Sequence, residues 1–171
     1  MWLRRASYVM IGVGVVVAAF AVLSPRERLD RNEISSTLAT ARFEREEVPQ
    51  GFSFLGAGES SEGVVYARFE GPDDINRIIF WVFDSPAAAE RSLRSFDDGP
   101  VLEGRRVLGP AHGIEHPSIC IDFRSFIECW ARVGQVLVAG ESRNIDPSVG
   151  GDLDSAMALL RAGIAKVEAV L

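Results

Sequence analysis

Between Ile119 and Ala139 the chain is rich in β-branched and aromatic residues, and polar breaks fall at Arg124-Ser125 and Gly134-Gln135. That pattern predicts two successive β-hairpins. A two-residue loop at Arg124-Ser125 pairs Phe123 with Phe126, Asp122 with Ile127, Ile121 with Glu128 and Cys120 with Cys129. Counted from the closing pair, the cysteines fall on a non-hydrogen-bonded pair, where Cα atoms lie about 4.5 Å apart and a disulfide is geometrically allowed. The alternative is two reduced, half-buried thiols. A catalytic dithiol is disfavoured, because the redox motif has two intervening residues and this pair is far more widely spaced.

The remaining periodicities place the other elements. Phe52 and Phe54 alternate in a short strand, and a polar loop covers 56–63; its glycines lack the dinucleotide and P-loop spacings. Val64 to Glu70 and Asn76 to Asp84 predict strands joined by a turn holding Asp73 and Asp74. The second strand is apolar on both faces, which predicts a central position covered on both sides. Ser85-Pro86 reads as a helix cap and first position, with Ala89, Leu93 and Phe96 on one face and a stop at 97–100. Residues 101–117 read as a loop, with an edge strand at 106–108. Asp152 caps a last helix on which Leu153, Met157, Leu160, Ile164, Val167 and Leu171 form a core stripe, while Asp154, Arg161, Lys166 and Glu168 mark a wet face.

Upstream, no charge occurs between Arg5 and Arg26, and Tyr8 to Leu23 is almost wholly apolar. Some twenty residues of helix rise about 30 Å, the thickness of a bilayer core. The expected organisation is a membrane anchor over 1–25, a charged and helical juxtamembrane stalk over 26–50 and a folded domain over 51–171. A cleaved signal peptide is the competing reading, with the small-x-small site at Ala19-Phe20-Ala21 inside the apolar run. Basic residues flank the run on both sides, so charge does not orient it. The cysteine pair favours an external domain, since such bridges persist in oxidising compartments. The fold class expected is α+β: a transmembrane helix, then a mainly antiparallel sheet built as strand pair, helix, three-stranded meander and helix, with helices packed on one face.

Charge changes the picture by exclusion. Acids outnumber bases 24 to 18, the acids all follow Arg26, and the arginines form no single patch. Nucleic acid is therefore not an expected partner, because phosphate binding needs clustered positive charge. The one catalytic-looking string is His112-Gly-Ile-Glu115-His116, which fits the H-x-x-E-H pattern of inverted zinc peptidases and holds both histidines of the chain. That chemistry requires a helix that brings both imidazoles to one metal, and Pro110, Gly113 and Pro117 argue against one. The sequence supplies no assembled catalytic set and implies no cofactor. The hairpin face carrying Phe123, Phe126 and Trp130 also carries Glu128 and Arg132, expected at its rim. Its functional alternative is a groove in which those aromatics meet a partner and the charges orient it.

At Val48-Pro49-Gln50-Gly51-Phe52, and again from Cys129 to Val138, the chain resembles a broad group of small membrane-tethered envelope proteins of uncharacterised function from GC-rich bacteria. The resemblance implies an external α+β domain and passes on no catalytic residues. The expected function is a non-enzymatic, membrane-anchored extracytoplasmic domain. It would touch the bilayer through residues 6–25 and bind a protein or small-ligand partner outside the cytoplasm. The alternatives are a zinc-dependent hydrolase using His112, Glu115 and His116, and an accessory subunit of a larger membrane complex.

Overall fold

A computed structural model describes residues 30–60, 64–98, 105–146 and 148–171. The expected anchor over 1–25 lies outside them, and among the described residues no helix is long and apolar enough to cross a membrane. The described chain is α+β. Helix α1 spans Arg31–Ala39, and strands β1 (Ser53–Glu59), β2 (Val65–Glu70) and β3 (Ile75–Val82) follow. Helix α2 (Pro86–Asp98) leads to β4 (Arg106–Gly109), β5 (Ser118–Asp122), β6 (Phe126–Val133) and β7 (Val136–Arg143), and α3 (Leu153–Val170) closes the chain. The strands form one antiparallel sheet in the order β1-β2-β3-β7-β6-β5-β4. Two meanders therefore meet at β3 and β7, and the connection through α2 carries the chain to the far edge. The expected strand pair is joined by the short strand expected at Phe52 and Phe54, which is β1, and the expected three-stranded meander is extended by the edge strand expected at 106–108, which is β4.

Turn chemistry fixes the register of the second meander. Arg124 takes φ 69°, Phe123 N–H donates to the Phe126 carbonyl at 2.9 Å, and Asp122 then faces Ile127, Ile121 faces Glu128 and Cys120 faces Cys129. The sulfurs are bonded, across Cα atoms 4.0 Å apart. Both cysteines are buried, and Cys120 Sγ lies 3.7 Å from Met157 Sδ of α3.

Side chains alternate across a strand, so each sheet face has its own set. One face carries Val65, Ala67, Ile78, Phe80, the disulfide, Ala131 and Val138, and α1 and α3 pack on it. Ile34, Leu38 and Phe43, from the segment expected to be a stalk, belong to this core. The folded body thus already includes α1. Helix α3 approaches β7 closely at Gly140, where a Cβ would stand 2.0 Å from the Ala156 carbonyl oxygen and 2.5 Å from Leu160 N. Asp152 caps α3 through Asp154 N–H at 3.1 Å, and Asp30 forms a capping box with Glu33 on α1. The turn acids act across the chain: Asp73 accepts from Ser142 and Asn144, and Asp74 accepts from Ile145 N–H.

The expectation that all helices share one face is overturned. Helix α2 lies on the opposite face, with Ala89 and Leu93 packed on Ile119, Ile121, Trp130, Leu137 and Ala139. The physical reason is in β6 and β7, which are apolar on both sides in their middle portions. A second apolar surface needs its own cover.

Candidate functional site

Helix α2 covers only part of the second face. It reaches β5, β6 and β7, and leaves β1, β2 and β3 without a helix. Leu55, Ile75 and Trp81 are exposed on that uncovered half. Leu55, Tyr66, Arg68, Asp74, Ile75 and Arg77 line a depression of about 570 Å³ there.

A row of directly opposed residues crosses this face from the open half to the covered half. Arg68 on β2 faces Arg77 on β3, Arg77 faces Glu141 on β7, and Glu141 faces Glu128 on β6. Glu141 is fully buried and Arg77 Nε donates to its Oε2. Arg143 Nη2 stands 3.1 Å from the other oxygen, within ion-pair range but not aligned for a hydrogen bond. The Arg143 guanidinium also lies 4.3 Å from the centre of the Phe126 ring. Burial, and then the neighbouring Glu141 charge, push the Glu128 carboxyl up to about 7, although Trp130 Nε1–H donates to it at 3.0 Å. A carboxylate beside another in a low-dielectric layer is a disfavoured second negative charge, so Glu128 holds its proton more tightly than a free glutamate does.

The residues singled out in the sequence fall at separate places. Phe126, Glu128, Trp130 and Arg132 share the second face, as alternation along β6 requires. Trp130 is buried under α2, stacked on Phe96 at 5.1 Å. Phe123 and Phe126 are half-buried and stacked on each other at 4.5 Å. Arg132 donates to the Gly134 carbonyl at 3.3 Å near the β6–β7 turn. Glu128, expected at a rim, is half-buried on the interior strand β6, opposite Glu141 and in reach of the Trp130 indole. The aromatics therefore belong mostly to the α2 core, and the open surface begins two strands away from β6, at β3. Sequence reasoning did not single out Arg68, Arg77 or Glu141: Arg68 and Arg77 meet through the β2–β3 hairpin, and Glu141 reaches Arg77 only through the β3–β7 pairing across 64 residues.

The zinc-peptidase string is not a helix. His112 and Gly113 form a turn with Gly113 at φ 71°, and no helix continues through Glu115 and His116. His112 is exposed, and His116 Nε2 lies 2.9 Å from Glu168 Oε1 of α3. Among the described residues no group of three or more His, Cys, Asp or Glu is placed to hold a metal ion. The i, i+4 convergence on which such a centre depends is lost with the helix.

No protein-family description, curated protein or solved structure matches this chain.

Proposed function

We propose that this chain is a membrane-anchored extracytoplasmic domain that binds a partner or ligand and does no chemistry of its own, with the uncovered half of the second sheet face as its binding surface. The observation that carries this reading is the asymmetry of that face: α2 closes one half, while Leu55, Ile75 and Trp81 remain exposed beside an arginine pair on the other. Exposed apolar residues rimmed by charge are the usual composition of an interaction surface. The disulfide supports placement outside the cytoplasm. The uncharged apolar stretch ahead of Arg26 supports the anchor.

Photo-crosslinking tests the surface. A benzophenone amino acid replacing Leu55 in the full chain, in its native membrane, is expected to give an adduct of defined mass. The same probe replacing exposed Arg91 on the outside of α2 is expected to give none. Equal adducts at both positions, or none at Leu55, would remove the binding surface.

A further inference from the structure

Arg68 and Arg77 stand directly opposite on neighbouring strands and on one face. Like charges so placed repel unless something lies between them. Arg77 shares the Glu141 carboxylate with Arg143, so one buried anion serves two cations. Arg68 makes no ion pair among the described residues, and its guanidinium lies 5.9 Å from the Tyr66 ring centre. Asp74 lines the same depression, but one of its oxygens is held by Ile145 N–H at 2.7 Å. Arg68 is therefore the cation of the row that has no carboxylate partner among the described residues, and it lines the open depression.

We propose that this depression binds a small amphipathic anion, its carboxylate or phosphate head held between Arg68 and Arg77 and its apolar body lying on Leu55 and Ile75. The proposal rests on the binding surface described above and names the chemistry of its ligand. Guanidinium forks match the paired oxygens of a carboxylate or phosphate, and two forks on adjacent strands can share one head group. Leu55 is 63% and Ile75 37% exposed on the walls of that depression, so an apolar chain attached to the head has surface to cover. The volume, about 570 Å³, is that of a small-molecule site. An anion here also removes the repulsion within the arginine pair, so binding and folding favour each other.

The test uses the full chain in nanodiscs of zwitterionic phosphatidylcholine, titrated with octyl phosphate, octanoate, octanol and inorganic phosphate, with empty nanodiscs subtracted. At least one of the two anionic amphiphiles is expected to bind ten-fold or more tightly than octanol and to raise the unfolding temperature. The tighter of the two identifies the head group. Inorganic phosphate alone is expected to bind at least ten-fold more weakly than octyl phosphate. Arg68→Gln is expected to lose ten-fold or more in affinity for the anionic amphiphile. It should unfold, without ligand, at the same or a higher temperature than the parent, which separates lost binding from lost folding. Arg91→Gln, on the outside of α2, is expected to bind as the parent does. Equal affinity for octanol and the anions, undiminished binding by Arg68→Gln, or no binding of any anionic amphiphile would overturn the proposal. A Leu55 crosslink to an uncharged partner under those outcomes would leave the surface standing without this ligand.

Discussion

At the scale of single residues, Glu128 is the side chain whose environment has the clearest consequence. Its carboxyl is pushed from the ordinary 4.5 up to about 7 by burial and by Glu141. The folded protein therefore holds this proton more tightly than the unfolded chain does. Its contribution is fully present below the unfolded value, falls as pH rises through the window from 4.5 to about 7, and is gone above it. A gap of this size corresponds to on the order of 3 kcal/mol. Denaturant unfolding at pH 5 and pH 8 is expected to show lower stability at pH 8, and Glu128→Gln is expected to flatten that difference while keeping an acceptor for Trp130. A parent profile level across the window would mean that Glu128 is not the group that carries the proton. Gly140 gives a second prediction at this scale. A methyl there meets the α3 backbone, so Gly140→Ala is expected to cost about 2–3 kcal/mol or more, read from the shift in denaturation midpoint.

At the scale of elements, the second meander was written in the sequence. Arg124-Ser125 and Gly134-Gln135 punctuate an apolar run, and a two-residue loop leaves one register, which brings Cys120 opposite Cys129. Closing so short a loop stabilises by roughly 2–3 kcal/mol in the chain-entropy model, less where the turn already holds the ends together. Cys120→Ala/Cys129→Ala is accordingly expected to lower unfolding stability by about 1–2 kcal/mol without loss of the fold. A loss large enough to abolish folding would show that the bridge, and not the turn and the α3 contact, holds this hairpin. The face chosen by each helix was harder to read. The amphipathic stripes of α2 and α3 both call for cover, but neither names the side of the sheet. That information lies in the two-sided apolar character of β6 and β7, where Ile127, Cys129 and Ala131 look one way and Trp130, Leu137 and Ala139 the other. Helix α1 was legible as a helix from Ile34 and Leu38 but not as core, because its burial depends on the distant β2 and β3. The segment that follows α1 is held as well: Lys166 of α3 pairs with Glu47 at 2.6 Å and lies 5.1 Å from the centre of the Phe43 ring. That ammonium, with the Glu44 backbone, holds the Glu47 carboxyl below its ordinary range.

At the scale of the whole molecule, the sheet divides into a closed part and an open part. Three strands, β5 to β7, are covered by a helix on at least one face and carry the disulfide, and α2 and α3 enclose β6 and β7 from opposite sides. The β1–β3 meander is packed on one face by α1 and α3, and its other face holds the arginine pair and the exposed apolar residues. The charged row links the two parts, and its middle step could not be seen along the chain: Arg68–Arg77 and Glu128–Glu141 are hairpin pairs, but Arg77 meets Glu141 only through the β3–β7 pairing. The His112–His116 string shows the converse: a spacing that is conspicuous in sequence and converges on no metal centre once Gly113 and the flanking prolines replace the helix with a turn.

The central claim is that this body stands outside the cytoplasm and presents its open half-face there. The most direct measurement is labelling of Leu55→Cys in the full chain on intact cells with a membrane-impermeant maleimide, before and after lysis. Labelling of intact cells to the level seen after lysis is the expected result, since Leu55 is 63% exposed and the native cysteines are bonded to each other. Labelling that appears only after lysis would contradict it.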